Sequence, residues 1–240
     1  MINLPWLEPY SIDFPCVDQA LQDPNGLLAA GGSLTEKTLL AAYRRGIFPW
    51  FEVNQPILWW SPSPRLVIYP DELHVSKSMR KTIKKTRFHL TTDKCFSQVM
   101  KSCAEPRADQ AGTWITDDML AAYTQLHKTG VAHSIEVWDQ KELIGGLYGI
   151  ALGKVFFGES MFSRRSNASK LGFIVLVSAL KKNGYALIDC QVHSGHLASL
   201  GAREIERDEF CKLLERDTLA IDGTNWINSA ELNSALTQLQ

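Results

Sequence analysis

The pattern of apolar and polar residues changes from a helical period to a strand period and back again after residue 76. Three segments have apolar side chains at helical spacing and predict helices: SKSMRKTIKKTRF, TTDKCFSQVMKSCAE and TDDMLAAYTQLHKTG. Three apolar segments with short polar turns between them predict an antiparallel meander: AHSIEVW, LIGGLYGIAL and VFFGESMF. The pattern then predicts a helix from Asn167 to Gly184, a strand YALIDCQ, a short helix HLASLG, a strand at 203–205 and a final helix from Asp208.

The N-terminal part is rich in turn-forming residues and carries one clear helix signal. Ser33 and Glu36 have the spacing of a capping box, apolar residues follow, and Gly46 is placed to end the helix. The next segment, GIFPWFEVNQPILWWSPSPR, is interrupted by prolines, so we expect neither a regular helix nor a central strand there. We therefore predict a small N-terminal domain over residues 1–62, with its boundary near Ser61, and a second domain over residues 63–240.

These elements together predict an α+β fold with a mixed, mainly antiparallel sheet, in an order that resembles the GNAT acyltransferase fold. The sequence predicts neither a membrane span nor a signal peptide, so we expect a cytoplasmic protein. Its five cysteines are scattered, which fits reduced thiols. Because the net charge is only -1, any contact with nucleic acid must come from a local patch.

Two polar side chains occupy the end of the predicted strand YALIDCQ. Side chains alternate across a strand, so Asp189 and Gln191 share one face, whereas Ile188 and Cys190 share the other. Two interpretations stay open for the polar pair: hydrogen bonds to a neighbouring loop, which are the commoner role, or the handling of a proton.

Glu159 lies in the otherwise apolar segment VFFGESMF. A buried carboxylate must be paired or functional, and Arg164 or Arg165 could supply a structural ion pair. Gly158 beside it, like the pair Gly145–Gly146, would allow close approach of a ligand, although bulges are the commoner reason for glycine in strands.

Aromatic and basic residues form two further groups. Tryptophans are concentrated in two loop-like segments, as Trp50, Trp59, Trp60 and Trp114. Such rings stack on bases or line apolar pockets, and we expect at least two of them to belong to the core. One face of the predicted helix SKSMRKTIKKTRF carries Lys77, Lys81, Lys84 and Lys85. A stripe of this kind suits phosphates but also occurs on ordinary solvated helices.

A metal site is a weaker alternative for the residues around the predicted strand YALIDCQ. Cys190, His193 and His196 match no common zinc spacing, so we predict no metal site. The sequence contains neither a Walker motif nor the glycine pattern of a dinucleotide-binding loop.

The motifs match those of a known family from about Pro24 to Arg207. In chain order they are NGLLAAGGSLT, YRRGIFPWF, ILWWSPSPR, GTWI, AHSIEVW, GGLYGIALG, FFGESMF, NASK, LIDCQ and HLASLGA. The chain resembles the bacterial leucyl/phenylalanyl-tRNA-protein transferases. The resemblance implies a small N-terminal domain joined to a GNAT-like aminoacyltransferase domain. It also implies transfer of leucine or phenylalanine, with some methionine, from tRNA to proteins that begin with arginine or lysine. This reaction marks proteins for N-end-rule degradation, and it needs neither a metal nor a cofactor.

The resemblance also implies roles for individual residues. Asp189 and Gln191 match the family's proton relay, and Glu159 matches its pocket carboxylate. The pocket for the aminoacyl end of the tRNA corresponds to Trp50, Trp114, Leu147, Phe156, Gly158, Met161, Phe173, Leu176 and Ile188. The helix that contacts tRNA corresponds to the one with Lys77, Lys81, Lys84 and Lys85. Some relatives carry methionine at Leu147 and leucine at Phe173, so the preference among the three amino acids stays open.

Two rival interpretations remain at this point. An acetyl-CoA-dependent GNAT enzyme would carry a glycine-containing pyrophosphate loop before its helix, whereas SRRSNASK lacks those glycines. A noncatalytic tRNA-binding module could be built from the basic helix and the tryptophans. We expect the protein to be a monomer.

Overall fold

The computed structural model describes residues 4–105, 113–218 and 226–240. Its N-terminal part contains β1 (Trp6–Leu7), β2 (Leu27–Gly31), α1 (Glu36–Arg44), β3 (Phe48–Pro49) and β4 (Leu58–Trp60). The strands form a four-stranded sheet in the order β1-β2-β4-β3. Since β4 lies between two other strands, the expectation that the proline-rich segment holds no central strand is wrong. Pro56 and Pro62 flank β4 and leave its backbone N–H groups free to pair.

The start of α1 also differs from the prediction. The N-cap is Thr35, whose hydroxyl accepts a hydrogen bond from the backbone N–H of Thr38 at 3.3 Å. Ser33 instead accepts one from the backbone N–H of Tyr10 at 3.2 Å. At the other end, Gly46 has a φ of +73°, a conformation that favours glycine after a helix.

The second part of the chain is built around a seven-stranded sheet. Its strands are β5 (Arg65–Ile68), β6 (His89–Thr92), β7 (Ala132–Asp139), β8 (Glu142–Leu152), β9 (Val155–Ser163), β10 (Leu187–Asp189) and β11 (Arg203–Ile205). The order is β11-β5-β10-β9-β8-β7-β6. β9 and β10 are parallel, and the other neighbours are antiparallel. The predicted α+β class, with a mixed and mainly antiparallel sheet, is confirmed.

Helices cover both faces of this sheet. They are α2 (Lys77–Lys85), α3 (Phe96–Ala104), α4 (Asp117–Lys128), α5 (Ala168–Lys182), α6 (Gly195–Ala198), α7 (Arg207–Asp217) and α8 (Ser229–Leu239), and short 3-10 turns lie at Val17–Gln19 and Pro70–Glu72. Neighbouring side chains of a strand alternate between the faces. Phe156 belongs to the buried cluster that contains residues of α2, α5 and α8, whereas Phe157 belongs to the one that contains residues of α1, α3, α4 and α7. Asn167 precedes α5 as predicted, but its left-handed φ of +65° leaves its side chain without a capping hydrogen bond.

The two parts of the chain share one of the two hydrophobic cores. Leu39 and Trp59 from the N-terminal part belong to the same buried cluster as Phe157 and Phe210. The chain leaves the four-stranded sheet after Trp60 and enters the seven-stranded sheet at Arg65, near the predicted boundary. The hydrophobic core is nevertheless continuous across this boundary. The division into domains at residue 62 therefore stays a prediction. None of the helices in the described ranges is long and apolar enough to cross a membrane.

The C-terminal helix α8 was not predicted from the sequence, and it covers the open edge of β6. Asn233 accepts a hydrogen bond from the backbone N–H of Leu90 and donates one to its carbonyl, at 3.3 and 2.8 Å. Ser229 accepts one from the backbone N–H of Thr92 at 3.1 Å. Side chains of α8 thus replace the strand that would otherwise pair with β6, which protects an edge that could bind another chain.

We expect Asn233→Ala to lower the free energy of unfolding by about 1–2 kcal/mol, because the backbone groups of Leu90 would lose their partners. Urea denaturation measures the change. The matched control is Ser234→Ala, an exposed position on the same helix, which should change stability by less than about 0.5 kcal/mol. Equal effects of the two substitutions would contradict the role given to Asn233.

Candidate active site

Asp189 ends β10 and forms a fully buried ion pair with Arg65 of β5. The Arg65 Nε lies 2.8 Å from one carboxylate oxygen and the Nη2 lies 2.7 Å from the other. Arg65 also donates to the Gly46 carbonyl at 3.1 Å, and its guanidinium lies between the rings of Phe48 and Phe210, 4.9 and 4.7 Å from their centroids. Because both carboxylate oxygens accept from the guanidinium, the Asp189 side chain is held in one orientation.

Gln191 follows Asp189 through a turn. The strand ends at Asp189, so the prediction that it continues and places both side chains on one face is wrong. Gln191 has a left-handed φ of +56°, and its backbone N–H donates to the Asp189 carboxylate at 3.0 Å. Asp189 therefore contacts the main chain of Gln191. The Gln191 side-chain amide donates to Glu159 at 3.5 Å.

Glu159 is the extra residue of a β-bulge in β9. Tyr148 pairs with Ser160 and Gly149 pairs with Gly158, so Glu159 has no residue opposite it in β8. Bulges of this kind redirect a side chain, and they are common next to active sites. Gly158 itself would leave ordinary contact space for a Cβ atom, 3.5 Å from the Asp189 carbonyl. Packing within the chain does not require glycine there, which is consistent with a ligand approaching the strand.

Two buried tyrosines hold the Glu159 carboxylate. The Tyr43 hydroxyl of α1 donates to one oxygen at 2.8 Å, and the Tyr123 hydroxyl of α4 donates to the other at 3.2 Å. The two hydroxyls also contact each other. The alternative of an ion pair is wrong, since Arg164 pairs with Glu105, and Arg165 pairs with Asp139 and Glu142.

The surroundings of Glu159 place its titration near neutrality. Burial raises the pKa of Glu159 to about 7, and the Asp189 carboxylate adds to the increase, whereas the tyrosine hydroxyls and the Arg65 guanidinium oppose it. Burial also raises the pKa of Tyr43 and of Tyr123 well above the usual value, so both remain hydroxyl donors. Glu159 is nevertheless partly exposed, and it is accessible to a substrate.

Arg65, Tyr43 and Tyr123 were missed as site residues from the sequence. Arg65 stands at the end of the motif ILWWSPSPR, and an arginine that begins an apolar strand is a signal of a buried partner. Tyr43 and Tyr123 lie at apolar positions of predicted helices, where tyrosine usually only packs. The sequence carries no signal that these two side chains meet.

The apolar residues predicted for the aminoacyl pocket come together in the core on the α5 side of the sheet. The fully enclosed ones are Leu147, Phe156, Phe173, Leu176 and Ile188. Met161 packs against them and, like Gly158, is partly exposed. Gly145 and Gly146 serve close packing, because a Cβ there would lie 2.7 Å from the Ala168 Cβ or 2.8 Å from the Ile135 carbonyl.

The predicted tryptophans lie outside this apolar cluster. Trp50 is 46% exposed, and its ring centroid lies 5.5 Å from that of Trp60. Trp59 is fully buried, whereas Trp60 and Trp114 are partly buried and pack against the core shared by the two parts of the chain. Trp50 is thus the tryptophan most available for stacking on a ligand.

The predicted basic stripe lies on α2, which is capped by Ser76 and buries Met79 and Ile83. The four lysines of the stripe are exposed: Lys77, Lys81, Lys84 and Lys85. Within the described ranges, no ion pair with a carboxylate involves them. They form an open cationic surface.

The alternative chemistry at Cys190 receives no support from the geometry. Its thiol is buried, and burial raises its pKa well above the usual value, which disfavours the nucleophilic thiolate. His193 pairs with Glu204 at 3.1 Å. Of the residues that the structure describes, no three His, Cys, Asp or Glu side chains are grouped so that they could hold a metal ion.

The site combines a partly exposed carboxylate on the bulge of β9 with an amide in the turn after β10, and a buried ion pair holds that turn. This arrangement is typical of an enzyme site that orients hydrogen bonds and moves protons. The family model described as leucyl/phenylalanyl-tRNA protein transferase matches residues 67–215, and the model of that family's N-terminal domain matches residues 32–63. The chain belongs to this family and is an aminoacyltransferase. The family name implies an aminoacyl-tRNA as donor and a protein as acceptor.

Relatives with this name are similar over most of their length. The leucyl/phenylalanyl-tRNA–protein transferase of Cellvibrio japonicus is 59% identical over 211 residues, which are 88% of this chain and 90% of that protein. The one from Pseudomonas aeruginosa is 56% identical over 213 residues, 89% of this chain and 94% of that protein. A solved GCN5-related N-acetyltransferase-like protein from Streptococcus suis aligns with a TM-score of 0.31 and 11% identity, over 68% of this chain and 60% of that chain. A likeness at that level does not bear on function.

We expect Arg65→Ala to lower the free energy of unfolding by about 3–5 kcal/mol, because Asp189 would remain buried without a counter-ion. Urea denaturation followed by tryptophan fluorescence measures the loss. Arg203→Ala, which breaks the half-exposed pair with Glu72, is the control and should cost less than about 1 kcal/mol. A loss below about 1 kcal/mol for Arg65→Ala would show that the buried pair is dispensable for stability.

Proposed function

We propose that this aminoacyltransferase moves leucine or phenylalanine, with some methionine, from charged tRNA to the α-amino group of proteins with N-terminal arginine or lysine. The protein would act as a cytoplasmic monomer that marks such proteins for N-end-rule degradation. The observation that carries the proposal is that Gln191 contacts both Glu159 and the Asp189–Arg65 pair. The choice of acceptor rests on the family resemblance.

The reaction requires positioning more than activation. In the aminoacyl ester the carbonyl carbon is already activated, so the acceptor nitrogen forms the new bond to that carbon directly. The bond from that carbon to the ribose oxygen breaks, its electron pair goes to the ribose oxygen, and a proton from the nitrogen ends there. Holding the two reactants in this geometry supplies several kcal/mol of the acceleration, in the range of about 7–11 kcal/mol for ideal alignment.

Asp189 acts in this scheme as a positioning residue. Arg65 binds both of its carboxylate oxygens, and one of them also accepts the backbone N–H of Gln191. This contact holds Gln191 in its left-handed turn. Because the Gln191 Nε2 donates to Glu159, its Oε1 remains the acceptor for a hydrogen bond from the attacking amine.

The enclosed apolar residues behind Gly158 and Met161 form the pocket for the amino-acid side chain in this proposal. An apolar pocket distinguishes side chains by about 1–3 kcal/mol per methylene, so imperfect discrimination among leucine, phenylalanine and methionine is expected. In this proposal the exposed ring of Trp50 would stack on the terminal base, and Trp114 would contribute to the same end of the tRNA. The lysines of α2 would bind tRNA phosphates.

The first test is transfer of radiolabelled leucine from charged tRNA to a peptide that begins with arginine. We expect label on this peptide without ATP or added metal, and none on a matched peptide that begins with glutamate. Gln191→Ala should reduce the transfer rate about 100-fold while charged-tRNA binding stays within about twofold. Binding of tRNA without transfer to either peptide would favour the noncatalytic tRNA-binding module.

A second prediction concerns the basic stripe. The double variant Lys81→Gln, Lys84→Gln should weaken tRNA binding and reduce the slope of log affinity against log salt by roughly one per lysine. Fluorescence anisotropy with labelled tRNA over a salt series measures this slope. The control is Lys182→Gln, Lys212→Gln, which removes two exposed lysines from α5 and α7. The assignment fails when both double variants change the slope equally.

A further inference from the structure

Peptide-bond formation in the proposed function needs a group that removes a proton from the acceptor. A free α-amino group has a pKa of about 8, so most acceptor amines are protonated at neutral pH and cannot attack. Gln191 can accept a hydrogen bond, but an amide oxygen is not basic enough to remove this proton. Asp189 is fully buried, and Arg65 occupies both of its oxygens. Neither residue meets the requirement.

Glu159 meets the requirement for a proton acceptor because of its position. The residue is partly exposed, and its Oε1 lies within hydrogen-bond distance of the Gln191 amide nitrogen, at 3.5 Å. The scheme requires that an amine that donates to the Gln191 Oε1 also reaches the Glu159 carboxylate, which contacts the nitrogen of the same amide. The bulge in β9 creates this position, because in a regular register Glu159 would be paired with a residue of β8.

The two tyrosines that contact Glu159 supply a second geometric reason to assign the proton to its carboxylate. Tyr43, Tyr123 and the Glu159 carboxylate make three mutual contacts, two from hydroxyl to carboxylate and one between the hydroxyls. Two hydroxyl protons can satisfy only two of these contacts while Glu159 is ionised. A third proton on the carboxyl group completes the ring of hydrogen bonds. The cluster is thus built to receive one proton.

We propose that Glu159 takes the proton from the acceptor's α-ammonium group, and that Tyr43 and Tyr123 are positioning residues that hold it for this step. The ammonium N–H bond breaks, its electron pair stays on nitrogen, and the proton binds the carboxylate. The neutral amine then attacks the ester carbon, and a second nitrogen proton goes to the leaving ribose oxygen. Glu159 afterwards releases its proton to water, so the cycle closes with one proton released overall.

The charges around Glu159 fit this role. The groups that face it are Tyr43 of α1, Tyr123 of α4, Tyr148 of β8, Asp189 of β10 and Arg65 of β5. Burial raises the pKa of Glu159 to about 7, which is close to that of the amine it would deprotonate. A base is most effective when its pKa lies near the operating pH.

The test is the pH dependence of kcat/KM for transfer to the arginine peptide. Tyr43→Phe and Tyr123→Phe each remove a donor to the carboxylate, so the ionised form of Glu159 loses stabilisation and its pKa increases. The acidic limb of the profile should move upward by about one pH unit, with about a tenfold loss near pH 6 and less than about a twofold loss near pH 9. In this scheme the acceptor amine is bound in its protonated form, so its titration contributes the alkaline limb, which is the same for every variant, and the acidic limb reports the enzyme.

Tyr148→Phe is the matched control. Tyr148 is buried, its ring lies 5.9 Å from that of Tyr123, and within the described residues its hydroxyl has no hydrogen-bond partner. Its profile should coincide with that of the unchanged protein. A uniform loss at every pH in Tyr43→Phe and Tyr123→Phe would instead reveal a merely structural role and overturn the proposal.

Glu159→Gln completes the series, because it keeps the shape of the side chain and removes its basicity. We expect transfer to fall about 100-fold near pH 6, with a smaller loss above about pH 8, where the acceptor amine is already neutral, while charged-tRNA binding is retained. Transfer near pH 6 within about threefold of the unchanged protein would overturn the assignment of Glu159 and leave the proposed function intact. Absence of transfer by the unchanged protein at any pH would overturn the proposed function, and this inference with it.

Discussion

Arg65 and Asp189 form an ion pair that is almost completely excluded from solvent, so water can stabilise neither charge. Four separate parts of the chain contribute to it. Arg65 comes from β5 and Asp189 from β10, while the carbonyl of Gly46 and the rings of Phe48 and Phe210 surround the guanidinium. A buried charge is tolerated only when it is paired and hydrogen-bonded, so the pair constrains how these parts can pack.

The active-site turn depends directly on this pair. Asp189 uses the oxygen that Arg65 already holds to bind the backbone N–H of Gln191, and this residue has a left-handed conformation that is costly for a side chain with a Cβ atom. Arg65 therefore fixes the position of Gln191 indirectly, because it orients the carboxylate that binds the Gln191 main chain. A site built in this way needs no direct contact between the Asp189 and Gln191 side chains.

The Glu159 cluster joins the N-terminal part of the chain to the larger sheet. Tyr43 belongs to α1, whereas Tyr123 and Glu159 belong to the later part, and all three side chains meet at one point. The N-terminal part thus supplies a hydrogen-bond donor to the Glu159 carboxylate as well as residues to the shared core. At the opposite edge of the sheet, Trp226 stacks on His133 with the ring centroids 4.1 Å apart, and α8 covers β6 beyond it.

The sequence by itself determined the α+β class, the meander of β7, β8 and β9, the helix α2 with its exposed lysines, and Asp189, Gln191 and Glu159 as candidates. These features depend on local periodicity or on continuous motifs, which can be recognised without any knowledge of distant contacts. The tertiary structure decided the partners: Arg65 for Asp189, the two tyrosines for Glu159, and Asn233 for the edge of β6. The residues of these contacts lie far apart in the chain, 124 positions in the case of Arg65 and Asp189, and no local pattern records which of them will meet. The bulge that exposes Glu159 is likewise a property of the pairing between two strands, so it emerged only when the register of β8 and β9 was known.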